Sequence, residues 1–383
     1  MVRFRTRAIH IGNERDLETG AVVPPIHLSS TFVQPGPGEW GRFDYSRSGN
    51  PTRARFEETI ANLEGGVGGL AFGSGMAAIH GTIMVLNPGD HVVAGSDIYG
   101  GTYRLLHKVT SRFGITVTLV DTTKPDAIAE AMTPKTKLVW LESPGNPRLS
   151  ITDIATCASI AHEHGALVGV DNTFATPALT QPLLLGADIV VHSATKYIGG
   201  HSDVLGGVIV TKDSALHEKL YFIQNATGGV MSPLDAFLSS RGLKTLDLRV
   251  REHSRSALAI AEFLKKHPLV RAVHYPGLAE HPQHEIAARQ MQGGFGGMLS
   301  FEVEGDFEMT KRIASDTRLF QLAVSLGAVE SLIEQPASMS HASYAPEDRK
   351  KHGISDSLIR LSVGLEDVED LKEDLDAAIR GAK

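Results

Sequence analysis

A glycine-serine-glycine turn, Gly73, Ser74 and Gly75 within AFGSGMAAIHG, joins a short apolar run to a helix that begins at about Met76. The amides of a helix start lack intrahelical acceptors, so they bind phosphate well. The segment also matches G-x-G-x-x-A, and Asp97 closes the next predicted strand, as in dinucleotide-binding sites. A purely structural interpretation remains open, because glycines permit a tight turn between strand and helix.

A lysine, Lys196, follows the buried strand of DIVVHSATKYIGGHSD, and two hydroxyl residues, Ser193 and Thr195, precede it. Lysine is rarely buried without a partner, and α/β sheets bind ligands at the carboxyl ends of their strands. An amine whose pKa is lowered by burial is a nucleophile that forms a Schiff base with an aldehyde. The hydroxyls could complete a phosphate site, whereas a surface lysine on an ordinary loop is the alternative.

An aspartate, Asp171, ends another apolar strand in ALVGVDNTFATP. A carboxylate that faces the ring nitrogen of a pyridine keeps this nitrogen protonated and makes the ring an electron sink. The alternative is a strand-end aspartate that caps its own loop. A phosphate-binding helix start, an amine nucleophile and a strand-end carboxylate are together what pyridoxal phosphate requires, whereas a nicotinamide cofactor explains only the first. The sequence therefore predicts a pyridoxal phosphate site.

The elements that must position these residues alternate in type over residues 52–247. Short apolar runs, which indicate strands buried on both faces, are mostly separated by helical segments. The runs are HVVAG (91–95), ITVTLV (115–120), KLVWLE (137–142), ALVGVD (166–171), DIVVHS (188–193) and GVIV (207–210). This alternation predicts an α/β domain in which helices cover both faces of a largely parallel sheet.

Different patterns flank this domain. Residues 1–51 are rich in Gly, Pro, Ser and Arg, which predicts an extended arm that lies on its own body or on a neighbouring subunit. Residues 248–383 predict a smaller α+β domain, with strands at GGMLSFEVEG and SLIRLSVG and a closing helix at VEDLKEDLDAAIR. Alternation in SLIRLSVG places Ile359 and Val363 on one face and turns Arg360 toward the other.

The composition disfavours several classes of function. The 383 residues include 37 Lys and Arg against 44 Asp and Glu, and the resulting charge of −7 disfavours nonspecific binding to nucleic acid or anionic membranes. No apolar run approaches the roughly 20 residues of a membrane span, and no zinc-type ligand spacing indicates a metal site. The single cysteine, Cys157, forms no internal disulfide, and no signal-peptide pattern is present, so we expect a cytoplasmic protein.

Eight segments together resemble the Cys/Met-metabolism family of pyridoxal phosphate enzymes, which includes cystathionine γ-lyases, cystathionine γ-synthases and methionine γ-lyases. The segments are YSRSGNPTR (45–53), GSGMAA (73–78), DIYGGTYR (97–104), ESPGNP (142–147), VDNTFATP (170–177), HSATKYIGGHSD (192–203), SLGAVESL (325–332) and IRLSVGLED (359–367). The resemblance extends over nearly the whole chain. It implies fold type I, as in aspartate aminotransferase, with a large, mostly parallel sheet domain and a smaller C-terminal α+β domain.

The resemblance implies three catalytic residues. Lys196 binds pyridoxal phosphate as a Schiff base, Asp171 pairs with the pyridine nitrogen, and Tyr99 stacks on the ring and exchanges protons with the substrate. An aromatic residue in an ordinary turn before two glycines is the alternative for Tyr99. The resemblance also implies a phosphate site completed by a neighbouring subunit. Its members are the amides of Gly75 and Met76, the hydroxyls of Ser193 and Thr195, and, from the neighbour, Tyr45 and Arg47. The implied assembly is a homotetramer of dimers that share active sites.

The implied substrate is a small amino acid. Arg360 resembles the residue that binds the substrate α-carboxylate, with Asn146 and Ser325 nearby, and a guanidinium suits a carboxylate because it donates two parallel hydrogen bonds. A surface ion pair is the alternative for this arginine. The implied reaction is γ-elimination, in which a sulfur amino acid yields 2-oxobutanoate, ammonia and a thiol. The alternative is γ-replacement on an O-acylated homoserine by a synthase or sulfhydrylase.

Two positions bear on the choice of substrate, and a third departs from the family pattern without a physical explanation. Cystathionine enzymes of the family usually carry Glu before the serine of SLG, where this chain has Val324, as methionine γ-lyases do. Methionine γ-lyases typically carry Cys after YG, where this chain has Gly101, as cystathionine enzymes do. His27 stands where a tyrosine is expected. We therefore predict a γ-lyase with a loose preference among cystathionine, methionine and homocysteine.

Overall fold

The computed structural model describes residues 2–340, 342 and 353–382 and contains two β-sheets. No helix in these residues is long and apolar enough to cross a membrane. The larger sheet has the strand order β1-β7-β6-β5-β4-β2-β3. Its strands are β1 Gly68–Phe72, β2 His91–Gly95, β3 Thr116–Val120, β4 Thr136–Glu142, β5 Leu167–Asp171, β6 Ile189–Ser193 and β7 Gly207–Thr211.

The larger sheet is parallel except for β7, which is antiparallel to both β1 and β6. The six predicted apolar runs correspond to β2 through β7, so the predicted α/β class with a largely parallel sheet is confirmed. The direction of β7 follows from its connection. Residues 194–206 contain no helix, and a parallel return to the neighbouring position usually requires a helical crossover. The same short connection carries Lys196.

Helices surround the sheets and begin and end where the sequence provides caps. Before the second helix, Asn50 Oδ1 accepts hydrogen bonds from the amides of Thr52 and Arg53, and after it Gly65 adopts a φ of 78°. The helices are α1 Phe4–His10, α2 Pro51–Glu64, α3 Gly75–Ile83, α4 Gly100–Arg104, α5 Pro125–Ala131, α6 Ile154–Glu163, α7 Thr176–Leu179, α8 Ser214–Thr227, α9 Pro233–Leu243, α10 Leu246–Lys265, α11 His284–Gln290, α12 Phe307–Asp316 and α13 Val368–Gly381. A π-helical turn, Leu105–Val109, extends α4, and 3₁₀ turns form at Thr110–Phe113 and Pro182–Leu185.

The smaller sheet has five strands in the order β10-β11-β12-β9-β8. They are β8 Val270–His274, β9 Met298–Val303, β10 Gln321–Leu322, β11 Leu332–Glu334 and β12 Leu358–Ser362. As the alternation of SLIRLSVG predicts, Ile359 and Val363 belong to the apolar core of this sheet, while Arg360 faces the opposite side.

Helix α10 connects the two sheets. Leu246 and Val250 near its start pack in the core of the larger sheet, whereas Ile260 and Leu264 near its end pack in the core of the smaller one. The predicted boundary between residues 247 and 248 therefore falls within the first turn of α10. The division into an arm (1–51) and two domains (52–247 and 248–383) stays a prediction.

A buried arginine of α10 fixes the segment that follows Lys196. Arg249 is 4% exposed, and its guanidinium donates hydrogen bonds of 2.7 Å to the carbonyls of Tyr197 and Gly242. Burial lowers the pKa of Arg249 to about 10, which still leaves the group charged at neutral pH. The arginine therefore supplies donors to two carbonyls that α-helix and β-strand hydrogen bonds do not use.

Replacing Arg249 with alanine should lower the free energy of unfolding by about 2–4 kcal/mol, because the Tyr197 carbonyl loses its donor, the Gly242 carbonyl loses one of its donors and a buried side chain is removed. The matched control is Arg251→Ala on the same helix. Arg251 is 51% exposed and pairs with Asp247, so its loss should change stability by less than about 1 kcal/mol. Urea unfolding followed by circular dichroism measures both variants, and equal losses would contradict the proposed anchoring by Arg249.

Candidate active site

A cavity of about 420 Å³ opens at the carboxyl ends of the parallel strands, between the larger and the smaller sheet. Open α/β sheets bind ligands at this edge, and the volume suits a small molecule. Every predicted site residue except Tyr45 and Arg47 lines this cavity. These residues are Gly75, Met76, Tyr99, Asn146, Asp171, Ser193, Thr195, Lys196, Ser325 and Arg360.

One end of the cavity is formed by the start of α3 and the end of β6. Ser74 caps the helix, and its Oγ accepts a hydrogen bond from the amide three residues later at 3.1 Å. At Gly75 the backbone passes so close to Ser193 that an added Cβ would lie 2.9 Å from the Ser193 Cβ. Thr195 Oγ1 accepts a hydrogen bond from the Gly206 amide at 3.0 Å. A bare helix start and two hydroxyl residues thus meet here, which is a donor set suited to phosphate.

Asp171 ends β5 beside Glu142 of β4, its partner in the strand register. Its Oδ1 accepts a hydrogen bond from the Thr173 amide at 3.0 Å, and Thr173 Oγ1 accepts one from the Ser193 amide at 2.9 Å. Burial raises the pKa of Asp171, and the hydrogen bonds from Thr173 oppose this effect. Thr173 therefore connects the carboxylate to the end of the cavity that is formed by the start of α3 and the end of β6.

Lys196 extends into the cavity, where its Nζ donates a hydrogen bond to Ser325 Oγ at 2.6 Å. Burial and, secondarily, the charge of Arg360 lower the pKa of this amine to about 8, while Glu334 acts in the opposite direction. Ser325 has a φ of 99°, which non-glycine residues rarely adopt and which marks stored backbone strain. The lowered pKa makes the neutral, nucleophilic form of this amine more accessible near neutral pH than it is for a lysine in water.

Arg360 lies on β12 and is buried against three acceptors. Its guanidinium donates to Asn146 Oδ1 at 2.9 Å and to the carbonyl of Ser325 at 3.0 Å. Glu334 of β11, opposite Arg360 in the register, forms an ion pair with it at 3.1 Å. These contacts fix the orientation of the guanidinium at the cavity wall, so it can receive a carboxylate from a ligand.

Tyr99 precedes α4, and its half-exposed ring lines the cavity. Its backbone amide donates a hydrogen bond to Glu142 Oε2 at 2.8 Å. Burial, followed by the neighbouring charge of Asp171, raises the pKa of Glu142 well above its usual range. An added Cβ on Gly101 would lie 2.4 Å from Cε1 of the Tyr99 ring. Glycine at position 101 is therefore required for the ring to occupy this place.

Tyr45, Arg47 and His27 lie outside the cavity. Arg47 donates a hydrogen bond to the Asn225 carbonyl at 2.7 Å, and its guanidinium carbon is 5.6 Å from the centre of the Tyr45 ring. Within one chain the structure does not bring Tyr45 and Arg47 to the other site residues, so their contribution to a neighbouring subunit stays a prediction. The His27 amide donates to Thr52 Oγ1, and its Nδ1 is buried without a hydrogen-bond partner in the described residues.

Sequence reasoning assigned no role to five polar residues of the cavity, which are Arg104, Glu142, Thr173, Glu334 and Ser340. Arg104 closes the DIYGGTYR segment and Thr173 lies within VDNTFATP, so both were inside quoted motifs. The two glutamates are carboxylates at the ends of apolar strands, which was the signal that identified Asp171. Val324, where cystathionine enzymes usually carry Glu, lines the cavity and is 60% exposed.

Comparison with known proteins places this geometry in a family. Residues 5–380 match the family described as Cys/Met metabolism PLP-dependent enzyme. A cystathionine beta-lyase of Coxiella burnetii is 51% identical over 98% of this chain and 97% of its own, and a cystathionine gamma-lyase of Bacillus subtilis is 51% identical over 99% of both.

A solved structure is similar over the whole chain. The cystathionine gamma synthase of Xanthomonas oryzae pv. oryzae, in complex with aminoacrylate and cysteine, has a TM-score of 0.97 and 48% identity, covering 100% of this chain and 99% of that one. The predicted family, fold class and cofactor are confirmed, and the choice between pyridoxal phosphate and a dinucleotide is decided for the former. This chain belongs to the Cys/Met metabolism family of enzymes that depend on pyridoxal 5'-phosphate.

Proposed function

We propose that this protein catalyses γ-elimination on cystathionine, which with one water yields cysteine, 2-oxobutanoate and ammonia. The observation that carries the proposal is the meeting, in one cavity, of a desolvated amine, a phenol and a buried guanidinium. These groups belong to Lys196, Tyr99 and Arg360. An amine and a phenol can move protons, while a guanidinium holds the carboxylate of an amino acid.

The residues of the cavity fit pyridoxal phosphate. A side chain at Gly75 would collide with Ser193, so the helix start stays bare for an anion. We assign the phosphate to four groups on α3 and after β6, which are the amides of Gly75 and Met76 and the hydroxyls of Ser193 and Thr195. We assign the pyridine nitrogen to Asp171 and the aldehyde to Lys196.

The chain's own side chains supply binding and proton transfer. When bound, pyridoxal phosphate stabilises negative charge that develops on substrate carbon atoms. The Lys196 amine, with its pKa of about 8, accepts and returns protons at the substrate carbons. The half-exposed Tyr99 phenol gives a proton to the departing sulfur. Arg360, held by Asn146 and Ser325, fixes the α-carboxylate.

The wall of the cavity favours cystathionine over methionine. Two guanidinium groups line it, the buried one of Arg360 and the exposed one of Arg104. Cystathionine carries two carboxylates and methionine one, so we assign the distal carboxylate to Arg104. The second candidate is γ-replacement on an O-acylated homoserine, because a succinyl group also carries a distal carboxylate and a structural relative is a synthase.

The arm supports a homo-oligomer, and we propose a tetramer of dimers that share active sites. Several large apolar side chains of this segment are exposed, and exposed apolar surface of this kind favours contact with another subunit. They are Leu17, Val22, Val23, Leu28, Val33 and Trp40. We also assign Tyr45 and Arg47 to the phosphate of a neighbouring subunit, since an arm that packs on a partner would carry them across the interface.

We propose a cytoplasmic location. The single cysteine, Cys157, is buried in α6, and burial raises the pKa of its thiol to about 12. A thiol in this state neither ionises nor forms a disulfide readily, which suits a reducing compartment.

Gly75→Ala should weaken the binding of pyridoxal phosphate at least about tenfold, because the new methyl group displaces Ser193 from the phosphate end. The measurement is a titration of the cofactor-free protein, followed by visible absorption. The matched control is Gly73→Ala, whose added Cβ would meet its nearest atom at an ordinary 3.5 Å. Equal affinity in the two variants would contradict the assigned phosphate site.

The reaction itself is tested with three mixtures: L-cystathionine, L-methionine, and O-succinylhomoserine with cysteine. We expect 2-oxobutanoate and cysteine from the first and less keto acid from the second, and Lys196→Ala should be colourless and inactive in all three. Keto acid and thiol are measured together with newly formed cystathionine. Cystathionine from the third mixture, with no keto acid from the first two, would establish a synthase instead.

Arg104→Gln should raise the KM for cystathionine on the order of fivefold, because an exposed ion pair contributes up to about 1 kcal/mol. The KM for methionine should stay within about twofold of the original value, since this substrate has no distal carboxylate. Steady-state kinetics with both substrates provide the comparison. If the KM for cystathionine and the KM for methionine rose equally, Arg104 would support the structure of the site and would not bind the distal carboxylate.

A further inference from the structure

A buried glutamate lines the active-site cavity without an assigned role. Glu334 is 1% exposed, and its Oε1 forms the ion pair with Arg360 and accepts a hydrogen bond from Ser340 Oγ at 2.6 Å. Its Oε2 is buried and has no hydrogen-bond partner in the described residues. Burying a carboxylate with one unpartnered oxygen costs free energy, so an interaction beside the cavity must offset this cost.

This interaction is with the positive groups around Glu334. Arg360 donates a hydrogen bond to the carbonyl of Ser325, and Lys196 donates one to the hydroxyl of the same residue. The guanidinium and the amine are thus connected through a single serine. Two cations this close in a desolvated cavity repel each other unless an anion stands beside them. Glu334, paired with Arg360 across β11 and β12, is such an anion.

We propose that Glu334 is a charge-balancing positioning residue: it cancels the charge of Arg360 at the Lys196 nitrogen and holds the guanidinium in place for the substrate carboxylate. This inference rests on the proposed roles of Lys196 and Arg360. It assigns Glu334 no contact with the reacting atoms.

The ionisable groups around Lys196 determine in which direction each substitution shifts the pKa of the lysine nitrogen. Tyr99, Arg104, Glu142 and Asp171 line the same cavity. The charges that act on the lysine pKa are those of Arg360, which lowers it, and Glu334, which raises it. Loss of the glutamate charge should therefore make the nitrogen release its proton at lower pH, and loss of the arginine charge should do the opposite. Loss of both should leave the nitrogen close to its original state.

The test is a double-mutant cycle on the holoenzyme with Glu334→Gln, Arg360→Gln and the two substitutions combined. Visible absorption is recorded against pH, since the colour reports protonation at the nitrogen that carries the cofactor. We expect the midpoint to shift acid-ward by on the order of 1 pH unit in E334Q and alkaline-ward in R360Q. In the double variant the midpoint should return to within a few tenths of a unit of the original.

Thermal unfolding provides the second readout. Each single substitution should lower the melting temperature more than the double one does, because only the singles leave a buried charge without its partner. The matched control is Glu302→Gln on β9, a glutamate of the same sheet that pairs with Arg271 and His274 outside the cavity. E302Q should lose stability without moving the absorption midpoint.

Two outcomes would overturn the inference: an unshifted midpoint in E334Q, or shifts of the same sign in both single variants. The result of the Glu334 titration can be distinguished from the result of the activity assay that tests the proposed reaction. A yellow original enzyme that forms 2-oxobutanoate supports the proposed function whatever E334Q shows. An original enzyme that is yellow but forms no keto acid contradicts the proposed elimination while leaving the titration of Glu334 interpretable.

Discussion

The site depends on keeping one amine out of water. A lysine in solution is protonated at neutral pH and is a poor nucleophile. Burial brings the pKa of Lys196 to about 8, and the cost of that burial limits what can surround it. The amine needs an acceptor, which Ser325 provides, and the nearby guanidinium of Arg360 needs an anion, which Glu334 provides. The burial of one amine thus requires a hydrogen-bond acceptor and a balancing negative charge from residues of the smaller sheet and its loops.

The fold satisfies this constraint with a short connection between two strands. Lys196 lies in residues 194–206, which connect β6 to the antiparallel strand β7. This short connection keeps the lysine at the edge of the sheet where the parallel strands end. Arg249 holds the carbonyl that follows it, and Ser325 approaches from the smaller sheet in a strained conformation. A strained backbone conformation persists only where surrounding contacts hold it in place. Here the hydrogen bond between Lys196 and Ser325 joins the connection after β6 of the larger sheet to the segment that precedes β11 of the smaller sheet.

The sequence predicted the parts of the site that follow from local patterns. Lys196 and Asp171 could be found because polar residues at the end of a buried apolar strand, or a few residues beyond it, are conspicuous, and Arg360 because alternation turned it away from a core. Glu334 could not be assigned in this way, because only the register of β11 against β12 places it opposite Arg360. Tyr45 was named only through the family resemblance, and its role stays a prediction because a single chain does not contain the neighbouring subunit. Local periodicity identifies side chains at strand ends, but pairing between distant strands decides which of them meet.

The same catalytic set serves elimination and replacement, so the choice between them depends on the wall of the cavity. In the proposed reaction, amine, phenol and guanidinium act on the reacting end of the bound amino acid. Arg104 and Val324 line the same cavity, and we assign the distal end of the substrate to them. An apolar residue there offers no partner to the ammonium of a distal amino acid, whether this group arrives as part of cystathionine or as free cysteine. Replacement must hold an incoming cysteine at this place, and elimination need only let one leave. We therefore expect the exposed valine to weaken the binding of a distal amino acid in both reactions, and to disfavour replacement more, because only replacement needs a second amino acid to bind on its own.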